Sequence, residues 1–343
     1  MKLVKSILLF YTINIYLFSS TPIEYSIHFD SGYDSNVMRF SEKEISEVSR
    51  DMQIVGGADT FDSFIYKIGI KGKKSIWNSN SKSILISGNY FRSDYNNNEY
   101  KKYWSGGFGL TFRWGAYNNL KYSVRNLDSY YLRHYINRDI SFSEMMPCFF
   151  SDRNQKIILT KRIDRGHWFS AGLGYLQRYY DRPFTEFDLD IYYFHFRINK
   201  KINKSITIAL QYEPSQAKDF FNESNHLPSN FNRSYQSLEW YIPLSIKLNK
   251  LTIDKIGFSS RREFRVYEAE DPNDPLHTGR GHIDSKLEFW LKKRLFDTVS
   301  VTLSTRYRTR DTNSAYDWVQ KLKSFKQIQM WFKIDWDLVY DNY

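Results

Sequence analysis

Residues 280–340 alternate apolar and polar side chains along nearly their whole length. Ile283, Leu287, Phe289 and Leu291 share one parity, against Asp284, Lys286 and Glu288. Val299, Val301, Leu303 and Tyr307 oppose Ser300, Thr302, Ser304, Arg306, Arg308 and Arg310. Ile328, Met330, Phe332, Ile334, Trp336, Leu338 and Tyr340 oppose Gln327, Gln329, Lys333, Asp335 and Asp337. A period of two means strand, because successive side chains leave a strand on opposite faces. Long strands that are apolar on one face and charged on the other suit a wall between lipid and water. The fold class that follows is all-β: a transmembrane, antiparallel, up-and-down β-barrel.

Composition agrees with that wall. Beyond the N-terminus there is no run of ~18 apolar residues for a spanning helix, and the mean hydropathy is −0.58. A barrel needs no such run, because its backbone bonds close between strands and its inward side chains are polar. The 27 Tyr, 26 Phe and 9 Trp exceed what a soluble chain with 25% charged residues calls for, and they suit two interfacial girdles. Trp114, Trp168, Trp336 and Tyr340 are expected at the inner girdle, with Tyr90, Tyr175, Tyr212 and Tyr307 at the outer one. Residues 1–20, with Lys2 and Lys5 ahead of the apolar stretch Ser6 to Phe18, read as an export signal. Residues 21–343 then form a single barrel domain.

The apolar parities predict about fourteen strands. Phe187-Leu189-Ile191-Tyr193 is taken as the lipid face of the eighth, which puts His195 on that face too. The sixth lies somewhere within Phe142 to Arg162, and Asp128 to Asn154 reads either as two strands prolonged beyond the membrane or as a loop in the lumen. Connections alternate between short turns (Gly115 to Asn119, Asp164 to His167) and longer polar loops (Ser35 to Thr60, Asp311 to Phe325). Short inner turns and long outer loops are how bacterial outer-membrane barrels are built. Gly72 to Lys82 stands out as a long connection where a turn is due.

Gly32-Tyr33-Asp34-Ser35-Asn36-Val37, at the outer end of the first strand, resembles the start of several bacterial outer-membrane β-barrel families. These include exopolysaccharide-export-associated barrels and the barrels of surface lipoprotein assembly modifiers. The resemblance implies a porin-like barrel in the outer membrane of a Gram-negative-type bacterium, with a periplasmic partner where export or assembly is the task. From the residues themselves, Asp34 and Asn36 are expected to bond the backbone where the strand enters a loop. Tyr343 resembles the terminal aromatic of barrel-assembly signals, which implies the barrel-assembly machinery as a partner. It is out of phase with Tyr340, so it needs a bulge.

The polar parity supplies the candidate site. Arg306, Arg308 and Arg310 form a ladder. Lys286 and Glu288 on the preceding strand, and Lys333, Asp335 and Asp337 on the following one, are predicted to face the same lumen. Charge ladders in a pore set ion preference, whereas mutual pairing would make the same residues a rigidifying network. The expected activity is passive passage of small polar or anionic solutes, and the alternative is export or assembly of polysaccharide or surface lipoprotein.

No enzyme is expected. His28, His134, His167, His195, His226, His277 and His282 include no nucleophile elbow and no metal-spaced pair. A Ser-His or Asp-His site would have to be assembled from distant strands. Glu268 to Asp274, the densest acidic loop, lacks the glycine and terminal glutamate of a calcium loop and reads as a solvated turn. No cofactor or metal is expected. The formal charge of +11 is scattered, which excludes a nucleic-acid patch and points to lipopolysaccharide and outer-membrane lipid as partners. The lone Cys148 cannot form an internal disulfide.

Overall fold

The structure, a computed structural model, describes residues 21–47, 55–58, 60–137, 140, 143–219, 232–248 and 252–340. The export segment 1–20, His226 and Tyr343 lie outside them. Fourteen antiparallel strands form one closed barrel. They are β1 (Ile23–Asp34), β2 (Ser63–Ser79), β3 (Lys82–Tyr95), β4 (Tyr103–Gly115), β5 (Asn118–Ile136), β6 (Met145–Arg162) and β7 (His167–Tyr180). The second half is β8 (Leu189–Lys201), β9 (Ile206–Asp219), β10 (Tyr235–Lys247), β11 (Lys255–Tyr267), β12 (Gly281–Arg294), β13 (Val299–Asn313) and β14 (Phe325–Tyr340). Each strand pairs with its chain neighbours, and β1 closes on β14 from Ile23↔Tyr340 to Asp34↔Gln329. Closure leaves no unpaired edge, the condition for a sheet in hydrocarbon. Two short helices lie in outer loops: α1 (Glu42–Glu47) after β1, and α2 (Asp317–Lys323) after β13.

The outward face is apolar and open. Ile68, Leu173 and Met330 are 57–63% exposed, and Phe108, Leu303 and Phe332 continue the same belt. A continuous apolar surface of this size needs lipid to cover it.

Three expectations change. The stretch Gly72 to Lys82 is not a long connection: β2 runs on to Ser79, slips register between Ser75 and Trp77, and turns through Asn80 and Ser81 into β3. Asn80 adopts φ 50°, the left-handed geometry that a two-residue hairpin requires and asparagine tolerates. In β8 the lipid face is Tyr192, Phe194 and Ile198, while Leu189 and Ile191 are buried in an interior cluster with Ala217 and Tyr235. His195 therefore points into the lumen. The reason is that this strand is apolar on both faces at its outer end, so parity alone did not choose. Trp168 leaves the girdle: it lines the lumen and stacks on Tyr117 at 4.5 Å. Within Asp128 to Asn154, β5 is prolonged to Ile136 and β6 starts at Met145, with register shifts at Leu127/Tyr130 and Tyr131/Arg133.

The dense core is not between the lipid faces. The largest fully buried side chains, among them Tyr131, Phe40, Val55, Val319 and Asp274, all belong to outer loops or outer strand ends.

Candidate functional site

The outer end is built from the first loop inward. Asp34 Oδ1 accepts from the Asn36 backbone N–H at 2.9 Å, and its carboxylate accepts from Gln327 at 2.8–2.9 Å and from Gln329 at 2.6 Å. Asn36 donates to the carbonyls of Phe40 and Lys326 at 2.8 and 3.0 Å. The Gly32 to Val37 segment thus clamps the β1–β14 seam and launches the loop. Gly32 is required there, since a Cβ would sit 2.5 Å from the Trp331 ring.

Beyond the clamp, Ser41 and Glu44 form a capping box. The Glu44 N–H donates to Ser41 Oγ at 3.2 Å, and Glu44 Oε2 accepts from the Ser41 N–H at 2.8 Å. The other Glu44 oxygen meets Arg133 of β5 at 2.5 Å, and Arg133 also donates to the carbonyls of Met38 and Arg39. Met38, Phe40, Val55 and Ala58 pack on Tyr131. The loop is therefore fastened from the seam to the β5 wall.

Other loops complete this layer. α2 packs on α1. In the stretch from Glu268 to Asp274, Glu270, Pro272 and Asn273 are exposed as a solvated turn would have them, but Asp274 is fully buried and accepts from His277 at 2.7 Å. Arg280 lies 3.9 Å above the Tyr267 ring. In α2, burial and then the guanidinium groups of Arg133 and Arg280 push the Lys323 ammonium down to about 7.

Beneath this layer the strand register places every charge named from the sequence on the lumen side. Lys286 faces Arg308 across β12–β13, Glu288 faces Arg306, and Asp284 faces Arg310. Lys333, Asp335 and Asp337 share their face with Gln327 and Gln329. The arginine ladder is paired. Arg308 grips Asp284 with two bonds of 2.7 and 2.6 Å, Arg310 adds a third at 2.9 Å, and Arg306 reaches Glu288 at 3.1 Å and Gln329 at 3.0 Å. Asp335 is held by His28 at 2.6 Å and Lys292 at 3.4 Å. Lys286, Lys333 and Asp337 have no ion-pair partner among the described residues.

The opposite wall carries further unpaired charge. A cavity of about 960 Å³ lies along β5–β11, lined by seven lysines and arginines against three glutamates. Arg178 pairs with Asp152, Arg261 with Glu239 and Arg265 with Glu263. His195 bonds Glu213 at 2.9 Å. That leaves Lys121, Arg125, Lys156 and Arg197 without a carboxylate at ion-pair distance among the described residues. Lys67 and Lys71 on β2 extend the basic wall, with their ammonium groups 5.0 and 5.3 Å from the Phe91 ring centre. The sequence reading missed these residues. Their signal was present in the alternation of Lys121, Ser123 and Arg125 with Leu120, Tyr122 and Val124.

No family model matches this chain, and no curated protein does either. Solved structures similar to it include a bacterial polysaccharide outer membrane secretin, at 8% identity and a TM-score of 0.47, covering 92% of this chain and 98% of that one. The anion-selective porin from Comamonas acidovorans gives 6% identity and a TM-score of 0.44, covering 93% and 99%. OmpT of Vibrio cholerae lacking loop L8 gives 6% and 0.46, covering 93% and 100%. Nothing about function follows from a likeness at this level. The closed sheet, its apolar outer belt, its charged interior and its alternation of short turns with long loops carry the assignment instead. This chain is a fourteen-stranded, up-and-down transmembrane β-barrel of the bacterial outer-membrane type.

Proposed function

We propose that the barrel is a channel for passive passage of small polar or anionic solutes, with its selectivity set by the basic wall on β2, β5, β6 and β8. The observation that carries this reading is the set of unpaired cations at Lys121, Arg125, Lys156 and Arg197 around the lumen cavity. A cation whose field is not cancelled locally attracts anions into a narrow aqueous path, while a paired one contributes little. The ladder from Arg306 to Arg310 is assigned a stiffening role. The apolar belt and its aromatic edges support lipopolysaccharide-bearing membrane as the surroundings.

The test is single-channel conductance of the refolded protein in a planar bilayer under a salt gradient. An anion-selective reversal potential is expected. It should fall toward zero in a Lys121→Gln/Arg125→Gln/Lys156→Gln variant and move less in Arg306→Gln/Arg308→Gln/Arg310→Gln. A folded barrel that stays silent rejects passive passage.

The packed outer end favours a second reading, an export or assembly barrel that a periplasmic partner opens. Restored conductance on adding a periplasmic extract to a silent barrel supports it.

A further inference from the structure

Near the periplasmic end of the lumen, on the β1–β14 seam, three side chains stand in a line that the channel reading does not use. Ser26 Oγ lies 2.8 Å from His28 Nε2, and His28 Nδ1 lies 2.6 Å from Asp335 Oδ1. Ser26 and His28 are two apart on one strand and so share a face. Register places Asp335 directly across from His28. We infer that Ser26, His28 and Asp335 form a hydrolytic site for small, negatively charged carboxylic esters that enter the lumen from the periplasm.

The arrangement meets the geometric requirements for an activated serine: a hydroxyl on one imidazole nitrogen and an orienting carboxylate on the other. The imidazole is fixed from the side as well. Gly69 lies opposite His28 on β2, and a Cβ there would come 2.1 Å from Phe91, so the missing side chain lets that ring lie over the strand. Phe91 then packs on His28 with ring centres 5.7 Å apart. His28 is buried while Ser26 remains half-exposed to the lumen, which leaves the hydroxyl accessible and the base shielded. A structural His28–Asp335 pair would need neither the serine nor the aromatic brace.

Strand N–H groups are consumed by the sheet, so a developing oxyanion must be met by side chains. Lys71 sits across from Ser26 on β2. Its ammonium lies against Phe91, the ring that also touches His28. The chemistry then balances without a cofactor. Ser26 Oγ bonds the ester carbonyl carbon as its proton passes to His28 Nε2. The ester C–O bond breaks, and the leaving alcohol takes that proton. Water next attacks the acyl carbon and gives a proton to Nε2. Ser26 Oγ leaves with it, releasing the acid. Asp335 accepts the Nδ1–H bond throughout and keeps its own charge. Negatively charged esters are favoured because Lys67, Lys71, Lys292 and Lys333 face this end of the lumen. The neighbouring carboxylates there are Asp30, Asp337 and Glu24, the last paired with Lys73 at 2.7 Å.

The test uses the full chain refolded in detergent, with folding checked by heat-modifiable electrophoretic mobility. A fluorophosphonate probe should modify Ser26, located by peptide mass mapping, and the anionic ester p-nitrophenyl hemisuccinate should be hydrolysed faster than neutral p-nitrophenyl acetate. Ser26→Ala, which removes a single oxygen, should abolish both while the mobility shift is retained. His28→Asn should slow labelling by at least about 100-fold. Asp335→Asn should lower the rate at neutral pH and alter its pH profile, a change that a purely structural hydrogen bond would not produce. A folded barrel with Ser26 unmodified overturns the inference, and so does hydrolysis that persists in Ser26→Ala. Because neither assay needs conductance, the outcome is independent of whether the barrel passes ions.

Discussion

Glu44→Ala should release the first outer loop. The Glu44 carboxylate does two jobs: it closes the capping box with Ser41 and it meets Arg133 at 2.5 Å. Loss of a helix cap costs about 1 kcal/mol. Breaking a buried ion pair by removing one partner costs about 3–5 kcal/mol, because the other charge is left stranded. Even the lower figure is not reached, since Arg133 keeps its bonds to the Met38 and Arg39 carbonyls at 3.3 and 3.4 Å. Its side chain also retains 17% exposure. A net cost of about 2–3 kcal/mol remains, equivalent to a roughly 30- to 150-fold rise in the open fraction of the loop. Limited trypsin cleavage after Arg39 in the folded barrel, a bond the substitution does not alter, reads that fraction when opening and closing outpace cleavage. The double variant Glu44→Ala/Arg133→Ala should be less impaired than the sum of the single changes, because no buried charge is left behind. Unchanged cleavage in Glu44→Ala, or strict additivity in the double variant, refutes the latch.

Asp284→Asn should leave the guanidinium groups of Arg308 and Arg310 without their shared carboxylate, and the reversal potential should shift toward stronger anion preference. Lys323, pushed down to about 7 from an ordinary 10.5, makes loop docking pH-dependent. A lowered lysine pKa means that the undocked loop binds more protons between those values. Docking therefore strengthens as pH rises from about 7 toward 10.5 and is weakest below 7. Tryptic cleavage of the outer loops should accordingly increase as pH falls from about 10.5 toward about 7 and level off below that, and Lys323→Met should flatten that dependence. Gly32→Ala should lower the thermal midpoint of the mobility shift, since its methyl would meet Trp331 and the Met330 carbonyl, at a cost of about 1–3 kcal/mol.

The fold was legible because a barrel wall writes itself locally. Each strand must present apolar groups to lipid and polar groups to the lumen, so alternation in β12, β13 and β14 fixed both the class and the facing of Asp284, Arg306 and Lys333. Parity failed in β8, where Leu189 and Ile191 serve an interior cluster while Tyr192 and Phe194 meet lipid. With both faces apolar, only the pairing with β7 and β9 decides. Loop packing was also beyond the sequence, because the contacts of Glu44 with Arg133 and of Asp34 with Gln327 join residues 89 and 293 positions apart.

By itself the sequence determined a lipid-facing barrel and, outside β8 and Trp168, which side chains point inward. Only the tertiary structure decided which inward charges cancel. Ion pairing depends on register across strands, and register is set by closure of the whole sheet, from the β1–β14 seam round to β2. That closure paired the ladder and left Lys121, Arg125 and Lys156 unpaired, and it brought Ser26, His28 and Asp335 into one line.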